Sequence, residues 1–346
     1  MSAAEPRRVG EHFILGFRGI VLPQWLIDFE REFGLGGVLL FDCDLESGTQ
    51  LRNVESREQV TALCASLHGL VSRPLVFVDQ EGGLVRRLKP ARGFAELPSA
   101  AAFAELDDPT ASEIALASYR EMAACGIDFN LAPVVDLNTN PENPNIGVLE
   151  RSFSSDADSV RRCVRIVSEA ARETGVRLCL KHYPGLGGAR VDSHRELTDV
   201  TGTNPPDQER LFVELGSEIP GGAVLVSHAL DRSLDPVWPA SVSEPHIRKL
   251  RAAWPEVLLI TDDVQMAGLR LLCGTADAAL RAMRAGVDWV CIGNNLAREE
   301  GESVAAAEQL REVAAQDAAL AAILAASCAR IQTAKRASLG AGAASG

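Results

Sequence analysis

Eight short apolar runs recur along the chain, and segments with a helical pattern separate them. In chain order they are HFILGF (12–17), GGVLLF (36–41), PLVFVD (74–79), FNLAPVVD (129–136), LCLKHY (178–183), AVLVSH (223–228), VLLITD (257–262) and WVCIGN (289–294). Most of these runs are continuously apolar rather than alternating, which is typical of strands that are buried on both faces. The pattern therefore predicts a parallel sheet that is covered by helices.

The segments between the runs predict those helices. DADSVRRCVRIVSEAARETG (156–175) begins with Asp and Ser, which are good helix caps, and ends on Gly175. TADAALRAMRAGVD (275–288) repeats Ala and Leu at helical spacing and stops at Gly286. Eight strand–helix units in one chain predict an α/β fold, a single (β/α)8 TIM barrel, with a doubly wound open sheet as the alternative. From about residue 299 the Ala-rich tail predicts a C-terminal extension of one or two helices.

The chain reads as a single domain over residues 1–346, with the ordered barrel at about 10–335. We find no internal repeat and no linker rich in Ser or Pro. No run reaches the roughly 18 apolar residues that a membrane span needs. The N-terminus has no apolar region of a signal peptide, and the eight cysteines form no CxxC pair. These features predict a cytoplasmic protein with reduced thiols.

The net charge of the chain restricts the classes of partner that it can bind. The formal net charge is −13, and no dense block of Lys or Arg is present. This balance argues against a nucleic acid or an anionic membrane as the main partner. We therefore expect a small-molecule substrate, and nothing in the chain predicts an oligomeric state.

Polar and ionisable residues gather where the predicted strands end. The residues at these ends are Asp79, Asp136, Lys181, His182, His228, Asp262, Asp263, Asn294 and Asn295. The carboxyl ends of barrel strands meet on one face, and that face carries the active sites of TIM barrels. The sequence therefore predicts a shared site built from several strands.

Three kinds of function fit such a site. The first is a glycosidase, in which a carboxylate and a proton donor flank a glycosidic bond. The second is a metal hydrolase that uses His182, His194, His228 and a carboxylate, although the chain has no HExxH and no HxH on a strand. The third is a binding barrel without turnover.

Several segments resemble motifs of glycoside hydrolase family 3. FVDQEGGLVRRL (77–88) resembles the family's DQEGGRVxR stretch, and KHYPGLGG with the following DSH (181–194) resembles KHFPGHG…DSH. GIDFNLAPVVDLNTNPENPNIG (126–147) with ERSFSSD (150–156), and ITDDVQMAGL (260–269), resemble two further family segments. The resemblance runs in order from about residue 10 to 295. The DSH loop and the one-domain length resemble the β-N-acetylglucosaminidase branch of the family.

The resemblance implies roles for individual residues. Asp262 aligns with the catalytic nucleophile, and we interpret its neighbour Asp263 as structural. His194 aligns with the general acid/base, and Asp192 with the carboxylate that orients it. The usual pKa of His is close to neutral, so His194 can give a proton and later take one back. By resemblance, the glycine-rich loop closes over bound sugar and brings His194 to the leaving oxygen.

The resemblance also implies a sugar-binding set, which consists of Asp79, Arg87, Arg151, Lys181 and His182. It implies no metal and no organic cofactor. The expected function is a retaining exo-β-N-acetylglucosaminidase that acts on GlcNAc-terminated fragments from peptidoglycan recycling. A neutral His base does not repel phosphate, so a phosphorylase is one alternative, and a family 3 β-glycosidase for a different sugar is another.

The chain departs from the family pattern near the substrate. Leu186 replaces the second His of KHFPGHG, for which we expect altered loop packing rather than lost activity. GVLERSF is about two residues longer than the common form, which could shift Arg151 or widen the pocket. Ser227 and His228 replace a more usual Thr-Ala-His. These changes leave the sugar specificity open.

Overall fold

Eight parallel strands close into a barrel in the computed structural model, which describes residues 8–191, 196–219, 221–296 and 300–342, with side chains to 336. The strands are β1 (Phe13–Leu15), β2 (Gly37–Leu40), β3 (Leu75–Val78), β4 (Gln80–Gly82), β5 (Val85–Arg86), β6 (Phe129–Asn130), β7 (Arg177–Tyr183), β8 (Ala223–Val226), β9 (Leu258–Asp263) and β10 (Trp289–Ile292). All but β4 and β5 form the barrel, in the order β1-β10-β9-β8-β7-β6-β3-β2, and β1 also pairs with β2. The predicted TIM barrel is confirmed.

Helices surround the barrel. They are α1 (Gln24–Phe33), α2 (Arg57–His68), α3 (Ala100–Ala104), α4 (Asp108–Cys125), α5 (Ala157–Thr174), α6 (Asp207–Gly216), α7 (Glu244–Ala253), α8 (Ala267–Arg270), α9 (Thr275–Ala285), α10 (Glu300–Gln316) and α11 (Ala318–Gly342). Helix α5 begins where the Asp156 side chain accepts a hydrogen bond from the Ser159 amide. Gly175 (φ +78°) and Gly286 (φ +103°) end α5 and α9 in the left-handed region, as their positions predict.

The fourth barrel strand is shorter than its apolar run. The sequence predicts a strand over 129–136, whereas β6 ends at Asn130. Pro133 has no amide to donate, which interrupts the regular ladder. The backbone still runs beside β7, because the amides of Cys179 and Lys181 donate to the carbonyls of Ala132 and Pro133 at 2.9 and 3.2 Å. Asp136 is therefore delivered to the carboxyl face as expected.

Large side chains fill the interior of the barrel. The rings of Phe77 and Phe129 stack with centroids 4.9 Å apart, and Trp289 meets Phe77 edge-on at 5.5 Å. The Trp289 indole donates to the carbonyl of Glu11 at 3.1 Å, so its polar atom is satisfied although the side chain is buried. This packed core closes the floor of any cavity at the mouth.

Helix α11 covers the opposite end of the barrel. Ile331 and Ala334 join the apolar cluster inside it, and the Lys335 ammonium contacts Glu11. The same ammonium donates to the carbonyls of Leu35 and Ser72 at 3.0 and 2.9 Å. The predicted C-terminal extension is confirmed, and it seals the base of the barrel.

Within the described parts of the chain, no single helix has the length and apolar character to cross a membrane. Helices α10 and α11 meet that test only as a pair, and they are bent by 118° at their junction. Both helices bury side chains against the barrel, among them Leu310 and Leu320.

Candidate active site

A cavity of about 190 Å³ opens at the carboxyl ends of the barrel strands. Its floor consists of apolar side chains from the barrel interior, such as Ile14, Leu225 and Ile260. Its walls carry all five residues of the sugar-binding set and the aligned nucleophile, which are Asp79, Arg87, Arg151, Lys181, His182 and Asp262. Six residues from distant segments thus meet where the sequence predicts a shared site.

Asp79 lies between two cations. Its Oδ1 accepts from the Lys181 ammonium at 2.8 Å, and its Oδ2 accepts from Arg87 at 3.1 Å. Burial alone would raise the pKa of Asp79, but the charges of Lys181 and Arg87 lower it well below its usual value. A carboxylate that stays ionised and rigid in this way can accept hydrogen bonds from paired sugar hydroxyls.

Glu81 joins the same network, and the sequence analysis did not identify it as a site residue. It accepts from Arg151 through both carboxylate oxygens, at 2.7 and 2.8 Å, and from the Lys181 ammonium at 2.6 Å. Burial opposes ionisation, yet Arg151 and Lys181 lower the pKa of Glu81 to about 2. Its position in the DQEGG stretch is the sequence feature that could have identified it.

His182 is held in one tautomer. Its Nε2 lies 3.0 Å from Arg151 Nη2, and its Nδ1 lies 2.7 Å from Asp136 Oδ2. A guanidinium can only donate, so Nε2 accepts and the ring proton is on Nδ1, directed at Asp136. Asp136 Oδ1 also accepts from the Leu186 amide at 2.8 Å. Asp136 therefore links the cavity wall that carries His182 to the loop that follows β7.

The two acids at the end of β9 occupy different environments. Both acids line the cavity, and Asp262 Oδ1 accepts from the Asp263 amide at 3.0 Å. Asp263 Oδ1 accepts from the Gln265 amide at 3.0 Å, and a Cβ on Gly293 would lie only 2.4 Å from Asp263 Oδ2. Burial, with the nearby charge of Asp262, raises the pKa of Asp263 to about 6. These contacts hold the Asp263 side chain in place, and its structural role stays a prediction.

His228 fixes the backbone beside the aligned nucleophile. Its Nε2 lies 2.9 Å from the carbonyl oxygen of Asp263, which can only accept, so Nε2 carries a proton. Its Nδ1 lies 2.6 Å from the Ser241 hydroxyl. In the described residues, neither His182 nor His228 belongs to a group of three or more potential metal ligands. Both histidines instead make these specific hydrogen bonds.

The predicted acid/base pair, Asp192 and His194, lies outside the described residues. The loop leading to it is anchored by asparagines of the NPENPN segment. Asn140 Nδ2 donates to the carbonyl of Ala189 at 2.9 Å, and Asn145 Nδ2 donates to that of Val191 at 2.7 Å. The roles of Asp192 and His194 therefore stay predictions.

The glycine-rich loop after β7 packs closely against the segment that follows β6. A Cβ on Gly187 would lie 1.7 Å from the carbonyl oxygen of Leu137, so that position accepts no side chain. Leu186 is 2 % exposed and belongs to an apolar cluster with Ile146 and Ala189. The loss of the family His at position 186 is thus accommodated by apolar packing. Arg151 still reaches the cavity despite the longer GVLERSF segment.

The barrel and this site together indicate a class of enzyme. A carboxylate in the wall of a cavity at the barrel mouth, with ionised acids and cations around it, is typical of hydrolases that act on carbohydrates. Residues 31–334 match the model of the glycosyl hydrolase family 3 N-terminal domain. The chain belongs to glycoside hydrolase family 3, and it is an enzyme of the glycoside hydrolase class.

Individual relatives agree with this assignment. The β-hexosaminidase of Xylella fastidiosa (strain M23) is 30 % identical over 300 residues, which are 81 % of this chain and 82 % of that protein. The β-hexosaminidase A of Pseudoalteromonas piscicida is 30 % identical over 292 residues, which are 77 % of this chain but only 47 % of that longer protein.

Solved structures with the same fold span nearly the whole chain. The β-N-acetylhexosaminidase from Beutenbergia cavernae DSM 12333 has a TM-score of 0.83 at 28 % identity, covering 97 % of this chain and 99 % of that one. The family 3 β-N-acetylglucosaminidase from Paenibacillus sp. str. FPU-7 has a TM-score of 0.83 at 27 % identity, covering 96 % of this chain and 62 % of that one.

Proposed function

We propose that the chain is a retaining exo-β-N-acetylglucosaminidase that removes a terminal β-linked GlcNAc. The observation that carries the proposal is that Asp262 lines the same cavity as the network of Asp79, Glu81, Arg151 and Lys181. The cavity ends on the barrel core, so it suits a chain end rather than an internal sugar. The names of the relatives support GlcNAc as the sugar.

The proposed mechanism has two steps. Asp262 attacks the anomeric carbon and forms a glycosyl ester while His194 protonates the leaving oxygen. Water then attacks the ester, and His194 takes its proton. In this proposal Asp192 orients the imidazole of His194. The sugar-binding network holds the ring so that its anomeric carbon faces Asp262.

The proposed natural substrate is a GlcNAc-terminated fragment of peptidoglycan, such as GlcNAc linked to anhydro-MurNAc, with or without peptide. We propose that the reaction takes place in the cytoplasm. Support for the substrate comes from the resemblance to the β-N-acetylglucosaminidase branch of the family. Support for the compartment comes from the eight cysteines, which all lie in the described residues and are free thiols.

Turnover of aryl β-GlcNAc beside aryl β-glucoside, with and without phosphate, tests the proposal. We expect free GlcNAc at a rate that phosphate does not change, and a clear preference over glucose. NMR should show the β-anomer of GlcNAc as the first product, because a retaining mechanism keeps the configuration of the substrate. A matched pair of variants assigns the chemistry: Asp262→Asn should be nearly inactive, whereas Asp277→Asn, on the exposed face of α9, should be fully active.

Two results would contradict the proposal. Formation of GlcNAc-1-phosphate would identify a phosphorylase that uses the same residues. Cleavage of the glucoside alone, or of neither glycoside, would show that the pocket takes a different sugar.

A further inference from the structure

Four aliphatic side chains line the active-site cavity on the side of the barrel that β10, β1, β2, β3 and β6 form. They are Leu45, Val85, Leu149 and Leu296, and we call this set the apolar rim. Leu45 is 57 % exposed, and the other three are partly exposed. Leu45, Leu149 and Leu296 lie in the loops that follow β2, β6 and β10, and Val85 lies in β5, within the β4–β5 hairpin of the long loop that follows β3. Each of these loops leaves the carboxyl end of a barrel strand, so the four side chains converge on the mouth from separate parts of the chain.

The most buried charges of the cavity lie deeper than Leu45, the most exposed residue of the apolar rim. The described ionisable residues of its lining are Asp79, Glu81, Arg87, Arg151, Lys181, His182, Asp262 and Asp263. Lys181 is only 2 % exposed and Glu81 has a side chain that is 3 % exposed, in contrast to Leu45. The cavity thus has a charged interior, which suits the hydroxyls of a sugar, and an aliphatic entrance.

The closed floor of the cavity determines the direction in which the leaving group lies. The barrel core closes the floor, so a sugar bound by the charged network directs the group on its anomeric oxygen toward the opening. We propose that the apolar rim is the aglycone subsite, and that it contacts an apolar face of the aglycone, such as that of an alkyl chain or an aryl ring. This inference rests on the proposed function, since it requires a GlcNAc ring in the interior.

Isolated exposed leucines are common on protein surfaces and need no explanation. Here four aliphatic residues share one opening, and that opening is continuous with the catalytic cavity. Hydrogen bonds also fix the backbone on which two of them lie. The Leu45 amide donates to the Asn295 side chain at 3.0 Å, which ties it to the segment that carries Leu296. A rim that is held in place loses little entropy when a ligand covers it.

Binding of two inert thioglycosides tests the subsite without depending on turnover. Ethyl and hexyl 1-thio-β-GlcNAc share the sugar and the sulfur and differ only in alkyl length. If two of the additional methylenes leave water on the rim, hexyl should bind about tenfold more tightly than ethyl. Isothermal titration calorimetry of the full chain gives both dissociation constants.

Variants locate the effect. In the double variant Leu45→Ser with Leu149→Ser, hexyl should bind at most about twice as tightly as ethyl. Each change removes aliphatic surface that the longer alkyl chain would cover. Val71→Ser is the matched control, because Val71 is 87 % exposed in the turn between α2 and β3 and lies away from the mouth. It should leave the ratio unchanged.

The outcomes separate the two claims. Equal affinity of hexyl and ethyl thioglycosides, or a ratio that the double variant does not change, would overturn the apolar aglycone subsite while leaving GlcNAc recognition intact. Binding of neither compound would overturn GlcNAc recognition and the subsite together.

Discussion

Glu81 and Arg151 form a two-point ion pair at the wall of the catalytic cavity, with Nε–Oε2 and Nη2–Oε1 distances of 2.7 and 2.8 Å. The side chains are 3 % and 10 % exposed. Because Glu81 also accepts from Lys181, one carboxylate positions two of the cations that the resemblance assigns to the sugar. Glu81 thus holds in place two cations of the cavity wall, Arg151 and Lys181.

The Glu81→Gln variant tests that organising role. The amide keeps the shape but loses the charge that holds Arg151 and Lys181, so we expect KM for aryl β-GlcNAc to rise about tenfold, with a smaller change in kcat. The free energy of unfolding should fall by about 2 kcal/mol, since a buried pair loses one partner's charge. Steady-state kinetics and urea unfolding measure the two effects.

Glu96→Gln is the matched control for this prediction. Glu96 pairs with Arg86 at the surface, where its side chain is 68 % exposed, so its loss should change neither KM nor stability. If both glutamine variants behave alike, Glu81 has no special role in positioning Arg151.

The tautomer of His182 gives a second prediction. Asp136 accepts the Nδ1 proton, which leaves Nε2 to accept from Arg151. In Asp136→Asn, an amide NH2 must face either the His182 imidazole or the backbone amides of His182 and Leu186, so at least one hydrogen bond is lost in each case. We expect about 2 kcal/mol lower stability and a severalfold higher KM.

Nitrogen-15 NMR of the wild-type protein checks the premise of that prediction directly. The His182 spectrum should show the proton on Nδ1 at neutral pH. A proton on Nε2 would rule out the hydrogen bond from Arg151 and the role given to Asp136.

The raised pKa of Asp263 predicts a dependence of stability on pH. Its pKa rises from 3.8 to about 6 in the folded protein, so the folded state binds its proton more tightly than the unfolded state does. The resulting stability is present below pH 3.8 and is lost as pH rises through about 6. The side chain of Asp263→Asn stays neutral at all pH values. The free energy of unfolding of this variant, relative to wild type, should therefore increase by about 2 kcal/mol from pH 4 to pH 8.

Urea unfolding of both proteins at the two pH values measures that gain. Asp277→Asn, with its exposed carboxylate, supplies the comparison and should show no such change. A difference between Asp263→Asn and wild type that does not vary with pH would show that Asp263 titrates normally.

Of the substitutions proposed here, Arg52→Met should cause the largest loss of stability. Its guanidinium is fully buried and donates to the carbonyls of Phe17 and Gly293 at 2.9 and 2.8 Å and to the Asn295 side chain at 2.7 Å. It therefore connects the loops after β1, β2 and β10. Arg52→Met leaves these acceptors without their donor, and we expect a loss of about 3–5 kcal/mol in urea unfolding. Arg31→Met, at a position with a 69 % exposed side chain, should lose almost nothing.

The local patterns of the sequence were sufficient to predict the barrel. Strands that are buried on both faces give continuous apolar runs, and helix ends such as Gly175 and Gly286 are marked by residues that tolerate the left-handed region. The exact strand ends were less predictable. Where Pro133 interrupts the ladder, only the neighbouring strand determines how far pairing continues.

The site could be predicted only in part. Asp79, Arg151 and Lys181 stand in motifs that can be aligned, and the structure brings them together. The organising role of Glu81 depends on Lys181, one hundred residues away, so no local pattern could indicate it. Asp136 was recognised as a polar strand end, but its partner His182 comes from the next strand.

Covalent trapping tests the central claim, that Asp262 is the nucleophile, most directly. A 5-fluoro glycosyl fluoride of GlcNAc should form the glycosyl ester quickly and release it slowly, because fluorine destabilises the cationic transition state while fluoride remains a good leaving group. Intact-protein mass spectrometry should show the addition of one glycosyl unit, and peptide mapping should place it on Asp262. A label on Asp263, or full turnover with inverted configuration and no label, would contradict the account.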